Sequence, residues 1–377
     1  MTPLTLITGG AGFIGTHVTR LATAAGMRVR ILDNLSEQIH GPDATFAPPQ
    51  GVEFLRGDVT ERADLERALD GVDTIVHLAA ETGTGQSMYE IDRYYRVNVQ
   101  GTALLFDLLA NGTNRVRNVV LASSRSVYGE GAYLCHACDP AGARRFPASR
   151  SPRQLEAHQW TSSCPRCGGA MEPTATREDD QLAPASIYAA TKLAQEELVR
   201  VACGALGMDH AILRFQNVYG EGQSLQNPYT GILSIFSTRI RLGLSLPIFE
   251  DGAETRDFVH VEDVATAVLR CIERPVSGGV TLNVGLGQPV SILAVAQLLQ
   301  RIMGSSIDPH VTGQYRVGDI RHNHADIARL ADTLGVRPEI SVEAGMKRFC
   351  DWVAGQPIPE DMLDRANAEL KARKLMA

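Results

Sequence analysis

The stretch LTLITGGAGFIG, residues 4–15, decides the fold. A short apolar run rich in β-branched residues ends in a glycine turn. An amphipathic segment, FIGTHVTRLATAAG, follows, and then a second apolar run, VRILD (29–33). That is a βαβ unit. Gly9, Gly12 and Gly15 fit G-x-x-G-x-x-G, while Gly10, Gly12 and Gly15 fit G-x-G-x-x-G. Glycines let the backbone approach a pyrophosphate, and the helix they open presents free N–H groups to it. Asp33 stands 18 residues past Gly15. A carboxylate there accepts hydrogen bonds from an adenosine ribose and repels a 2′-phosphate, which predicts NAD rather than NADP.

The alternation continues through VEFLRGD (52–58), DTIVHLAA (73–80), a helical stretch around 88–111 and VRNVVLASS (116–124). Strands apolar throughout predict a parallel sheet covered on both faces. The expected fold is α/β: a Rossmann-like doubly wound sheet over residues 1–215, interrupted at 132–175, where Cys, Pro, Arg and Ser replace aliphatics. Residues 216–350 read as a smaller substrate lobe, with about 256–280 returning to the first domain. Residues 351–377 read as a charged helical tail, solvated or at an interface. Net charge is −7 over 377 residues, and no apolar run reaches the length of a membrane span. The chain starts directly into a strand, without a basic leader. These features predict a cytoplasmic protein with no nucleic-acid and no membrane partner.

Tyr188-A-A-T-Lys192 opens a predicted helix, so the two side chains share a face. A lysine ammonium about 4 Å from a phenol favours the phenolate by ~4 kcal/mol before desolvation, which makes the tyrosine a usable acid and base near neutral pH. Upstream, LASSRSVYG (121–129) ends a strand in hydroxyl residues, and Ser124 is placed to bond a substrate oxygen. Asp58 follows the third strand, where it reaches an adenine or caps a turn with Val59 and Thr60.

TGGAGFIG, HLAA, SSRSVYG, YAATK, LRFQNVYG and RDFVHVEDVA, in that order, resemble the extended short-chain dehydrogenases that act on nucleotide sugars. The resemblance spans residues 4–335 apart from the interruption. It implies a catalytic triad of Ser124, Tyr188 and Lys192, with Lys192 also on the nicotinamide ribose. It implies a cofactor site of Gly9, Gly12, Phe13, Ile14, Gly15, Asp33, Asn34, Asp58, Val59, Leu78, Ala79, Ala80 and Asn98. For the sugar nucleotide it implies Thr82, Ser124, Asn217, Arg256, Arg316 and Asp319. An arginine pair suits a diphosphate because guanidinium is a bidentate donor that stays charged. Dehydratases of the family carry Asp-Glu after the catalytic hydroxyl residue; Arg125 and Ser126 stand there instead. The pattern resembles the 4-epimerases most, with a 4-keto-sugar reductase as the alternative. A non-catalytic NAD-sensing regulator is a third reading, but such regulators tend to lack part of the triad. ETGTGQSMYEI (81–91) and GEGQSLQNPYTGIL (220–233), together with the interruption, narrow the resemblance to dTDP-L-rhamnose 4-epimerase-like enzymes. The apolar helices around 88–111 and 186–206 resemble the pair that makes the family's homodimer.

The interruption explains why Ser124 and Tyr188 are 64 residues apart. It holds Cys135, Cys138, Cys164 and Cys167, two Cys-x-x-Cys pairs with 25 residues between them. That spacing predicts a four-sulfur zinc site rather than a redox pair. With all four positions filled, the zinc is structural. His136 and His158 are substitute ligands by sequence. Arg144, Arg145, Arg150 and Arg153 give the segment a positive face read as solvated. Cys203, Cys271 and Cys350 read as small buried hydrophobes.

Overall fold

The computed structural model describes residues 2–227, 229 and 231–377; Met1, and Pro228 and Thr230 within GEGQSLQNPYTGIL, lie outside the described residues. Seven strands build the central sheet: β1 (Leu4–Thr8), β2 (Arg28–Asp33), β3 (Glu53–Arg56), β4 (Thr74–His77), β5 (Asn118–Ser124), β6 (Asp209–Phe215) and β7 (Val280–Val284). Their order is β7-β6-β5-β4-β1-β2-β3 and every pairing is parallel. All five residues of β1 are buried, with Ile7 opposite Ile31 and Val76. The chain winds outward from β1 in one direction and from β4 in the other. The strand order therefore reverses between β1 and β4, where such sheets open a crevice at their carboxyl ends.

Nine helices matter here: α1 (Phe13–Ala24), α2 (Arg62–Leu69), α3 (Gly101–Asn111), α4 (Ile187–Leu206), α5 (Ile232–Leu242), α6 (Val261–Glu273), α7 (Ile292–Ile302), α8 (Val342–Ala354) and α9 (Leu363–Ala372). On one face of the sheet, Val18 and Ala22 of α1 meet Val264, Ala265 and Val268 of α6. On the other, α2, α3 and α4 bury Leu65, Leu105, Phe106, Val199 and Cys203. Helix α4 starts where Ser186 Oγ accepts the Ala189 N–H at 3.2 Å, and it ends at Gly207 in the left-handed region, φ +66°. A separate core joins Tyr219, Phe236, Ile248, Phe258, Val295 and Phe349. Cys203, Cys271 and Cys350 are buried in these three cores. No helix of the described residues is long and apolar enough to cross a membrane.

Two regions depart from the sequence reading. The tail is not a solvated helix: α9 buries Leu363, Ala366 and Leu370 against its own chain, and the last residues pair with 315–317 through Tyr315 N–H to Ala377 O (2.8 Å) and Val317 N–H to Leu375 O (2.9 Å). The positive face of the interruption is not uniformly solvated either. Arg150 is only 5% exposed, and Arg144 is paired with Asp180. The segment itself folds as a three-stranded antiparallel sheet, with Tyr133–Cys135 between Ala143–Arg145 and Glu172–Pro173. Its own apolar cluster is small: Tyr133, Cys135, Cys164 and Met171, with Cys138 against it.

Candidate active site

A cleft of about 460 Å³ opens at the carboxyl ends of the strands, at the β1/β4 reversal. One end is the glycine turn. Gly9 has φ +69°, and a Cβ on it would sit 2.7 Å from Ala79 N; a Cβ on Gly15 would sit 2.4 Å from Gly9 O and 2.6 Å from Gly10 Cα. These are backbone atoms that cannot yield, so the turn presses α1 against β4. No side chain caps α1 at Gly12, which leaves the first-turn N–H groups free for an anion. Gly15→Ala should therefore purify without bound dinucleotide and melt at a lower temperature than the parent, as overpacking costs about 1–3 kcal/mol. Cofactor content after denaturation and the Tm check this; full cofactor retention would contradict it.

Asp33 stands at the end of β2 and holds the turn, accepting Ala11 N–H at 3.0 Å and Leu35 N–H at 2.9 Å. Asn34 Nδ2 donates to Asp58 at 2.8 Å, and Asp58 accepts both the N–H and the hydroxyl of Thr60 at 2.8 Å. Burial raises the Asp58 carboxyl, but these donors outweigh it and hold it below its ordinary value. Phe13, Ile14, Val59, Leu78, Ala79, Ala80 and Thr82 also line the cleft. Asn98 does not. It is wholly buried behind the wall, where Nδ2 donates to Glu81 O (3.1 Å) and Thr191 Oγ1 (3.0 Å) and Oδ1 accepts Glu81 N–H (2.8 Å). The uncapped helix, the close glycine turn and the carboxylate at the end of β2 together fit a dinucleotide.

The other end of the cleft carries Ser124, Tyr188 and Lys192. Ser124 ends β5 and accepts Ser126 N–H at 3.2 Å. Tyr188 lies in the first turn of α4, its N–H on Ser87 Oγ at 3.0 Å. Lys192, one turn on, is 3% exposed. Its ammonium donates to Ala122 O at 2.9 Å and lies 5.9 Å from the centre of the Tyr188 ring. Burial draws Lys192 down to about 7, with Glu196 opposing. Burial pushes the Tyr188 phenol up, and the Ser124 hydrogen bond and the Arg125 charge pull it back. Two cations thus stand near the phenol: the Arg125 guanidinium, which pulls it down, and the Lys192 ammonium one helical turn on.

Arg125 lines the cleft, and Nε donates to Asn217 Oδ1 at 2.7 Å. The sequence reading gave it no positive role, because its partner is 92 residues away. Of the residues implied for the sugar nucleotide, Thr82, Ser124 and Asn217 line the cleft; Arg256, Arg316 and Asp319 do not. Arg256 is tied to backbone carbonyls, with Nη1 on Thr255 O (2.8 Å) and Arg321 O (3.1 Å) and Nη2 on Ile320 O (2.7 Å). Arg316 stacks 4.6 Å over Phe249 and donates to Asn367 of α9 at 3.1 Å; its Nε is buried without a partner among the described residues. Asp319 offers its carbonyl to Arg150 at 2.9 Å. From the same helix α9, Glu369 accepts Tyr89 and Tyr229 hydroxyls at 3.0 Å, and Tyr229 lines the cleft.

The cysteines form a separate group, and no residue of their segment lines the cleft. The sulfurs of Cys135, Cys138, Cys164 and Cys167 fall within 4.8 Å of one another, with Cys135–Cys167 and Cys138–Cys164 at 3.6 Å. Four sulfurs about 2.3 Å from one zinc stand ~3.8 Å apart, so this donor set fits a tetrahedral zinc. His136 is bonded to Pro140 O at 3.2 Å and His158 stacks on Trp160, so neither belongs to the group.

The sequence profile of the NAD dependent epimerase/dehydratase family matches residues 5–152 and 134–285. The chain is 40% identical over 366 residues to the dTDP-L-rhamnose 4-epimerase of Burkholderia thailandensis, covering 96% of each chain. It is similar to the crystal structure of UDP-glucose 4-epimerase with UDP-glucose from Thermotoga maritima, with a TM-score of 0.75, 25% identity, and coverage of 93% of this chain and 98% of that one. It is also similar to MoeE5 in complex with UDP-glucose and NAD, with a TM-score of 0.73, 28% identity, and coverage of 93% and 98%.

Proposed function

The chain belongs to the NAD dependent epimerase/dehydratase family, and on that premise we propose that this NAD-dependent nucleotide-sugar 4-epimerase acts on a dTDP-6-deoxyhexose, interconverting dTDP-L-rhamnose and dTDP-6-deoxy-L-talose. The observation that carries this reading is the gathering of Ser124, Tyr188 and Lys192 at one end of a cleft whose other end is the glycine turn and Asp33. The relative from Burkholderia thailandensis supports the choice of sugar.

NAD, when bound, supplies a hydride acceptor and donor for C4 of the sugar. The residues proposed to hold it are those of the glycine turn and α1, with Asp33 on the adenosine ribose and Lys192 on the nicotinamide ribose. Tyr188 takes the proton of the 4-hydroxyl, with Ser124 bridging the two oxygens, and returns it to the 4-keto oxygen. Arg125 beside the phenol favours its ionised form and holds Asn217 against the sugar nucleotide. The 4-keto sugar turns over within the cleft so that its opposite face is reduced. Arg125 and Ser126 occupy the positions where dehydration needs an acid and a base, so water is retained. The cysteines would hold one zinc, and sulfur takes every coordination position, so the metal orders the segment and leaves the chemistry alone. Residues 1–215 with 256–280 form the proposed cofactor domain, and the remainder of 216–350 the substrate lobe. Exposed Ile91 (48%) and Tyr95 (42%), in the helical turns just before α3, and Val201 (69%) on α4 support a homodimer, here placed in the cytoplasm.

Purified protein should release NAD on denaturation. In a panel of dTDP-L-rhamnose, UDP-glucose and UDP-glucuronate, kcat/KM should be highest for the first by at least about tenfold, or ~1.4 kcal/mol of transition-state binding. A preference for a UDP-sugar would overturn the substrate assignment, and a requirement for added NADPH would overturn the epimerase.

A further inference from the structure

Arg150 comes from the cysteine-bearing segment, yet its side chain is 1% exposed and every donor bond it makes beyond that segment goes to the catalytic body. Nε donates to Glu130 at 3.2 Å, Nη1 to Glu250 at 2.8 Å and to Trp160 O at 3.3 Å, and Nη2 to Asp319 O at 2.9 Å. Glu130 passes the contact on, since its second oxygen accepts the Arg321 N–H at 2.8 Å. Glu250 also receives the Arg321 guanidinium at 3.0 Å.

The target of these bonds is one short stretch of backbone. The carbonyls of Asp319, Ile320 and Arg321 each accept a guanidinium N–H, the first from Arg150 and the other two from Arg256. Two arginines, one from the cysteine-bearing segment and one from the strand Thr255–His260, thus grip three consecutive peptides. A second contact lies nearby: the Trp160 ring stacks on His158 at 5.0 Å and lies 6.2 Å from the ring of Tyr315. Asp319 is one of the gripped residues and Arg316 lies three before it; the family resemblance implies both for the sugar nucleotide, although neither side chain lines the cleft as it stands.

A buried ion pair adds little net stability over apolar packing, whereas it does demand a fixed geometry of its partners. A guanidinium aimed at a backbone carbonyl fixes where that backbone lies. We propose that Arg150 is a positioning residue. It holds the 315–321 stretch in the conformation that receives the nucleotide diphosphate, and it is the route by which the cysteine-bearing segment acts on substrate binding. This rests on the reading of the site as a nucleotide-sugar site.

The test compares wild type with Arg150→Met and Arg150→Lys, as full-length protein. Loss of a charge-assisted donor set should raise the KM for dTDP-L-rhamnose and the Kd for dTDP alone by about tenfold or more. The value of kcat should stay within about threefold, and zinc and NAD content should not change. Backbone hydrogen exchange should speed up in 313–321 and not in β1–β6. Arg150→Lys, which keeps the charge but not the fork, should fall between. Because Arg150→Met takes one cation from the buried Glu130 and Glu250 and leaves them with Arg321, Trp160→Ala provides a milder variant, expected to weaken dTDP binding and loosen 313–321 in the same direction. Unchanged dTDP affinity and unchanged exchange in a folded variant would overturn the role, as would a loss confined to kcat. A wild type that binds dTDP but does not turn over dTDP-L-rhamnose would sink the substrate assignment and leave the Arg150 comparison standing on dTDP binding and exchange.

Discussion

Tyr188→Phe is expected to lower turnover at least about a hundredfold while leaving the cofactor bound, since a positioned acid or base contributes some 10²–10⁴ in rate. The substitution removes one oxygen. The aromatic ring keeps its place in the first turn of α4, because its position is set by the Ser87 bond to its N–H and by the edge-on Tyr94 ring 6.5 Å away. Ser124 keeps the Ser126 N–H. The glycine turn, Asp33 and Lys192 are untouched, so NAD content should match the parent. Substrate affinity should change far less than kcat, because a proton-transfer partner acts mainly in the transition state. Steady-state kinetics and cofactor content measured together separate these effects. Activity within tenfold of the parent would remove Tyr188 from the proton transfer.

Cys164→Ser should release the metal from a protein that otherwise carries about one zinc per chain. Zinc bound by thiolates contributes on the order of 10 kcal/mol, whereas the segment's own apolar cluster comprises only Tyr133, Cys135, Cys164 and Met171. Residues 133–175 should then exchange their backbone hydrogens freely. The central sheet should hold, because the clusters on its two faces draw on β1–β7 and helices α1, α2, α3, α4 and α6, and contain no residue of the cysteine-bearing segment. Activity should fall through KM as the grip of Arg150 on Asp319 loosens. Metal analysis, hydrogen exchange and kinetics read the three parts separately. Zinc loss with unchanged KM would leave the metal site but disconnect it from the substrate. A wild type with no zinc would remove the metal from the picture.

The sheet was legible because a parallel strand covered on both faces must be apolar at every position, as LTLIT and VVLAS are, and because a glycine turn that close to β4 admits no other residue. Tyr188 and Lys192 were legible from their helical spacing, and the four cysteines from theirs. What stayed hidden depended on distant pairing. Arg150 reads as a surface charge until Glu130, Glu250 and Asp319, respectively 20, 100 and 169 residues away, are brought to it. Arg125 is hidden in the same way behind Asn217. The three strands of the cysteine-bearing segment, two or three residues each, are too short to show alternation. The tail did carry a signal: Leu363, Ala366 and Leu370 sit at i, i+3 and i+7, the spacing of a helix with one buried face.

The most direct measurement of transient oxidation at C4 follows dTDP-L-rhamnose carrying deuterium at C4 through the purified enzyme, with no nicotinamide added, by NMR and mass spectrometry. The expected product is dTDP-6-deoxy-L-talose with the deuterium still at C4, because the label leaves and returns within one cleft. Loss of the label to water, inversion at any other carbon, or turnover only with added NADPH would contradict it.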